Sequence, residues 1–317
     1  MEMSKKVLKQ LCREKELYGT PELNDVLYLH YKGFKKIDNL DEYTSVKVLW
    51  LEGNGFAKIE GLENQPSLKH LYLQENYISK IENLEKLIEL DTLNLSQNVI
   101  RKIEGLSHLQ NLNSLILKRN RLKTKSDLEG LLECKSLVVL DLSQNKIEDQ
   151  SVMEVFEQMP NLKVLYLKGN PFVQKIPQYR RRTIASLSSL TYLDERPVFP
   201  DERKRSEAWA KGGKVAEKAE IQRQIKEKKE KEDRQFRAFQ KLVDDSKKIY
   251  PVDDEESAEN DENVADSNIA SSDQKDTSKT CVESENLTKL EDNSTDVAAG
   301  IEGSNEKSIE IEQKKIP

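Results

Sequence analysis

Cysteine is scarce in this sequence of 317 residues: Cys12, Cys134 and Cys281 are widely separated and form no C-x-x-C pair. That usage supplies neither a disulfide framework nor a tetrahedral zinc site, so reduced structural thiols are expected. No run approaches the roughly 18 to 20 apolar residues of a membrane span, and the opening MEMSKKVLKQ lacks an apolar signal-peptide region. A soluble intracellular protein is the expectation. Core-forming residues are also thin, at 36% hydrophobic and 6% aromatic against 34% charged. A chain of this length with so little to bury must leave part of itself outside any core.

The sequence is equally poor in the materials of catalysis. Its histidines number three, His30, His70 and His108, and its 12 glycines are scattered without a phosphate-binding loop. No histidine pair has the spacing to bind a metal or to relay a proton to a nucleophile. Neither an enzyme nor a bound cofactor is expected. The formal net charge of −6 hides an uneven distribution, since residues 201–250 carry 16 Lys/Arg against 11 Asp/Glu while 251–317 carry 6 Lys against 19 acids.

What the sequence does contain is a ladder. Asn54, Asn76, Asn98 and Asn120 recur every 22 residues, and Asn145 and Asn170 follow at intervals of 25. Apolar residues precede each Asn at fixed offsets: Val46, Leu49 and Leu51 in one copy, then Leu68, Leu71 and Leu73, and so on to Leu162, Leu165 and Leu167. The pattern is L-x-x-L-x-L-x-x-N, the signature of leucine-rich repeats. An earlier copy uses Leu27, Leu29 and Phe34 but has Lys32 in place of Asn, as an atypical terminal repeat should. Within L-x-L the period of two sends both leucines to one face of a short strand. The Asn is expected to satisfy backbone groups inside the turn. Ile59, Ile81 and Ile103, with Leu62, Leu84 and Leu106, close the outer side of each coil.

The fold class is therefore α/β: a leucine-rich-repeat solenoid with parallel strands on its concave face and short helices and turns on its convex face. Ser4 ahead of Val7, Leu8, Leu11 and Cys12 predicts a capping helix within residues 1–19. The solenoid itself should span 20–200, with Ile184, Leu187, Leu190, Tyr192 and Leu193 capping its far end. In the longer repeats Ser126-x-x-Glu129 and Ser151-x-x-Glu154 read as capping boxes of true helices. Residues 201–250 form a charged helical segment broken at Gly212-Gly213, expected to be a solvated single helix rather than a long coiled coil. Phe236, Phe239 and Leu242 on it could dock on a partner. Residues 251–317, acidic and nearly free of aromatics, should be a disordered tail.

Strand positions between the buried leucines point to the concave side. They read Tyr28, Trp50, Tyr72, Asn94, Ile116, Asp141 and Tyr166, edged by His30, Glu52, Gln74, Ser96, Lys118, Ser143 and Lys168. Large amphipathic rings amid polar groups are the usual content of a protein-binding hot spot. The bland alternative is that these rings merely stack on one another. Glu52 and Asp141 mixed with Lys118 and Lys168 give no basic stripe, so nucleic acid is not the expected partner. The run Arg180-Arg181-Arg182 is short enough to be the polar face of the cap.

Two flanking segments carry a narrower likeness. Thr20-Pro21-Glu22-Leu23-Asn24-Asp25-Val26-Leu27-Tyr28-Leu29-His30 at the entry resembles the leucine-rich-repeat dynein axonemal assembly factors. So does the exit, from Tyr192-Leu193-Asp194-Glu195-Arg196-Pro197-Val198-Phe199-Pro200 to Glu207-Ala208-Trp209-Ala210-Lys211-Gly212-Gly213. The likeness covers roughly residues 20–225, while the region beyond is shorter than the family's. The resemblance implies a non-enzymatic scaffold in the cytoplasm and cilium, required for cytoplasmic preassembly of dynein arms and for cilium structure and motility. Its implied partners are axonemal dynein chains, chaperones or other assembly factors. The repeats alone also admit a regulatory subunit of a protein phosphatase or a generic adaptor.

Overall fold

The computed structural model describes residues 1–249; the expected acidic tail lies outside the described residues. Eight short parallel strands follow one another in a single sheet. They are β1 (Val26–Tyr28), β2 (Val48–Trp50), β3 (His70–Tyr72), β4 (Thr92–Asn94), β5 (Ser114–Ile116), β6 (Val139–Asp141), β7 (Val164–Tyr166) and β8 (Tyr192–Leu193). A ninth, β9 (Arg196–Pro197), turns back antiparallel on β8. The register is the repeat itself, pairing Leu27 with Leu49, Leu49 with Leu71, and so on to Leu165 with Leu193. In each three-residue strand the middle leucine is buried while its two neighbours are half-buried.

Inside the coil, leucine stacks on leucine from one repeat to the next. A second column lies two residues beyond the ladder position: Phe34, Phe56, Ile78, Ile100, Leu122, Ile147 and Phe172, all with 0% exposure. Burying one such side chain contributes about 1.5–3 kcal/mol, and no coil could do so without its neighbours.

The turn after each strand demands left-handed backbone at the residue before the ladder position. Tyr31, Glu75, Gln97, Arg119 and Gln144 have φ between 52° and 58°, and Gly53 and Gly169 take 64° and 83° in the same place. The ladder Asn makes this bend tolerable. Asn98 Oδ1 accepts from the Ile78 amide at 2.9 Å in the preceding coil, while its Nδ2 donates to the carbonyls of Leu73, Leu95 and Ser96. Asn54, Asn76, Asn120 and Asn145 repeat this bonding, and Asn170 repeats it with Ile147, Leu142 and Leu167. Asn54 also accepts from the amide of Lys32, so the terminal coil is stitched by the Asn of the next.

Helix α1 (Lys5–Glu14) lies on the first coil, with the Ser4 hydroxyl accepting from the Val7 amide and Leu8, Leu11 and Cys12 buried. Asn24, 1% exposed, ties the entry loop together through Tyr18, Thr20 and Pro21. In the longer repeats the capping residues stand two places ahead of the sequence reading. Thr124 and Asp127 form the capping box of a 3-10 turn, and Asp149 accepts from the Ser151 amide at the other site. The extra residues make 3-10 turns at Lys125–Asp127 and Glu129–Glu133, and one short helix, α2 (Met153–Glu157). At the first site Thr124 takes the cap because Asp127 reciprocates across the turn, its Oδ2 accepting from the Lys123 and Thr124 amides.

Past β7 come α3 (Pro171–Lys175) and α4 (Tyr179–Ser186), and past β9 the long α5 (Pro200–Ile249). Helix α5 is not a single rod. Gly212 and Gly213 leave the helical region, Gly213 at φ 63°, ψ −154° where a side chain is not accommodated. The second arm then returns along the first: Gln224 Nε2 donates to the Asp201 carbonyl at 3.1 Å and its Oε1 accepts from Arg205 at 2.6 Å. Arg203 donates to the carbonyls of Ile184, Leu187 and Leu190, closing the last coil. The segment is an interrupted helix: a glycine hinge and the buried Gln224 turn the start of its second arm back along the first, which packs on α4, while residues 225–242 are exposed.

Candidate protein-binding face

The last residue of each strand places Tyr28, Trp50, Tyr72, Asn94, Ile116, Asp141 and Tyr166 side by side along the concave face, neighbours in the register. All seven are half-buried. Within the row Trp50 and Tyr72 stack, ring centroids 3.9 Å apart and planes 11° from parallel. Tyr28 turns instead toward His30, edge-on at 6.2 Å. Tyr166 leans on Tyr192 of β8 at 5.7 Å, a contact from the cap rather than from the row. Asn94 and Asp141 serve their own turns, accepting from the amides of Ser96 and Ser143. The row therefore has an aromatic platform over β1–β3 and two polar members already engaged.

The flanking row differs along its length. His30, Glu52 and Gln74 occupy equivalent positions in three consecutive coils, and Nδ1, Oε2 and Oε1 respectively are buried without a hydrogen-bond partner. Burial pushes the Glu52 carboxyl above its usual range; His30 acts against this shift and Glu75 with it. Further along stand Lys118 and Lys168, the latter paired with Glu195 at 2.9 Å.

One member of this face was not legible from the leucine pattern. Tyr31, 62% exposed, lies across Gly53 and donates its hydroxyl to Glu75 at 3.1 Å, spanning a whole coil. A Cβ on Gly53 would stand 2.1 Å from two of its ring carbons, so the glycine makes room for the ring. The signal lies in the column before the ladder position, where Tyr31, Gly53 and Glu75 follow one another.

Elsewhere the chemistry is structural. No group of three or more His, Cys, Asp or Glu side chains that could hold a metal occurs among the described residues. Burial raises the Cys134 thiol to about 11, which keeps it protonated. Among the described residues no helix is long and apolar enough to cross a membrane. The Arg180-Arg181-Arg182 run is internal bracing: Arg180 pairs with Glu202 at 2.6 Å, Arg181 pairs with Glu217 at 2.7 Å, and both Arg181 and Arg182 lie over the Trp209 ring.

Family models described as leucine-rich repeats match residues 44–86 and 81–225. Dynein axonemal assembly factor 1 of Homo sapiens is 64% identical over 220 residues, which are 69% of this chain and 30% of that one. This is a leucine-rich-repeat relative of those assembly factors. The assembly factor of Rattus norvegicus is 64% identical over 218 residues, 69% of this chain and 34% of its own. The Drosophila melanogaster homolog is 55% identical over 223 residues, 70% of this chain and 15% of its own. The leucine-rich-repeat chain thus matches at most about a third of the length of these relatives. Among solved structures, an internalin from Listeria monocytogenes aligns over 60% of this chain and 51% of its own, at 26% identity and a TM-score of 0.47.

Proposed function

We propose that this chain is a non-enzymatic protein-binding scaffold for the cytoplasmic preassembly of axonemal dynein arms, and through it for cilium structure and motility. It works in the cytoplasm and cilium by presenting its concave face to dynein chains, chaperones or other assembly factors. The observation that carries the binding part is the stacked Trp50–Tyr72 platform on the concave face of β2 and β3. A solenoid's leucines are consumed by its own core, so half-buried aromatics on the open side are surface available to a partner. The assignment to dynein arms rests on the relatives' names. Affinity purification from ciliated cells tests both: axonemal dynein chains or chaperones should co-purify with the native chain and be depleted with Trp50→Ala. A phosphatase catalytic subunit in their place would establish the regulatory-subunit reading instead.

A further inference from the structure

The described residues contain six buried polar side-chain atoms without a hydrogen-bond partner, and three of them fall in one column of three consecutive coils: His30 Nδ1, Glu52 Oε2 and Gln74 Oε1. Buried polar atoms are nearly always paired, because leaving one unpaired is costly. Chance would scatter such defects over the molecule. Here they gather beside the Trp50–Tyr72 pair, in the row next to it. Two of the three, a carboxylate oxygen and an amide carbonyl oxygen, can only accept, so what they lack is a donor.

Charge points the same way. Glu75, one coil on, accepts from Tyr31 and from Gln97, and no Lys or Arg of the described residues lies within 4.0 Å of either Glu52 or Glu75. In these two columns the positive residues are Lys118 and Arg119 in the fifth coil and Lys168 in the seventh. The concave face over β1–β3 therefore joins a negative edge to a stacked aromatic pair whose facing surfaces are taken up by each other. The negative edge favours a cation, and a guanidinium additionally pairs with a carboxylate through two donors while its flat apolar body lies along a ring. Phosphate and carboxylate ligands are disfavoured by the same charges.

We propose that the concave face over β1–β3 captures an arginine or lysine side chain on an extended segment of its protein partner, laid against Trp50–Tyr72 with its donors turned to Glu52 and Gln74. This rests on the reading of the concave face as the binding face and specifies what that face selects. A partner cation draws the Glu52 and Gln74 side chains outward from where Oε2 and Oε1 lie buried and supplies the donors those atoms lack there. His30 and Tyr28 border the site on the entry side, where their rings meet edge-on. Lys118 and Arg119, two coils beyond β3, disfavour a second cation there.

The test uses the full chain and a phage-displayed library of random dodecapeptides, followed by fluorescence polarisation with the best synthetic peptide. Enriched peptides should carry a central Arg or Lys, and replacing that Arg by its neutral isostere citrulline should weaken binding at least tenfold. Glu52→Gln should remove most of the difference between Arg and citrulline. Trp50→Ala should abolish binding, and Trp50→Phe, which keeps a ring and guards against a folding artefact, should retain much of it. Peptides sensitive to Trp50→Ala but indifferent to charge would overturn the cation site and leave the binding face intact. No enrichment, or peptides insensitive to Trp50→Ala, would overturn both. Sedimentation supplies the remaining outcome: a native dimer converted to monomer by Trp50→Ala would make a second copy of this chain the occupant, contrary to the proposal.

Discussion

Asn98 shows how one side chain can hold two turns of a solenoid. It accepts from Ile78 in the preceding coil and donates to Leu73 there and to Leu95 and Ser96 in its own. Asn98→Ala leaves these groups buried and unpaired, at about 1–3 kcal/mol for each that finds no water. Thermal unfolding followed by circular dichroism should come several degrees lower than in the native chain. Glu52 predicts the opposite sign. Its carboxyl is raised by burial in the folded state, so the folded chain binds this proton more tightly than the unfolded chain does. Its contribution to stability accordingly falls as pH rises from the ordinary carboxylate range through the raised value. Glu52→Gln should melt no lower than the native chain at neutral pH and lose that part of the pH dependence, while weakening capture of cationic peptides. A variant more stable and less functional is the mark of a residue kept for binding. At Gly53, positive φ and the overlying Tyr31 ring both oppose a side chain. Gly53→Ala should therefore displace Tyr31 from Glu75, at about 1–2 kcal/mol from the backbone alone.

Among the elements, the strands were readable because the pattern that names them is the pattern that packs them. Leu49 and Leu51 are apolar at a spacing of two, and both are buried. The short helices were less so. Ser126 and Ser151 resemble caps in sequence, yet Thr124 and Asp149 do the capping, because Asp127 reciprocates Thr124 across the turn and Asp149 accepts from both the amide and the hydroxyl of Ser151. The α5 hairpin was half legible. Gly212-Gly213 announced a break, but the docking depends on Arg180, Arg203, Trp209 and Gln224, which are distant in sequence and carry no periodic signal. Gly213→Val, placing a branched side chain at φ 63°, should release the second arm. Trypsin should then cut within 214–249 faster than in the native chain, while the melting of the repeats is nearly unchanged. The Arg180–Glu202 pair makes the docking acid-sensitive: Arg180 holds the Glu202 carboxyl below its usual range. The pair's contribution is present above the ordinary carboxylate pKa and lost as pH falls through the lowered one. Pepsin cleavage at α5, referred to an unstructured peptide at the same pH, should accelerate across that acid window, and less so in Glu202→Gln.

For the whole molecule, stacking is both the source of stability and the means of display. Each coil buries its leucines against the next and leaves its strand's outer residues in a row, so the candidate binding face is a by-product of the core's period. That is why the row from Tyr28 to Tyr166 could be listed from sequence, and why its energetics could not. Only side-chain geometry separates the stacked Trp50–Tyr72 pair from Asn94 and Asp141, which hold their own turns, or groups the three unpaired atoms in one column. Capture of a protein by this aromatic platform is checked by purifying the native chain, Trp50→Ala and Glu63→Ala from ciliated cells, quantifying co-purified dynein chains and measuring each melting temperature. Glu63 is exposed and away from the strands, and serves as the control. All three should melt within a few degrees of one another, with native and Glu63→Ala retaining dynein chains and Trp50→Ala losing at least tenfold, in keeping with about 2 kcal/mol for a hot-spot truncation. Full yield of dynein chains on a normally folded Trp50→Ala would place capture elsewhere than on this platform.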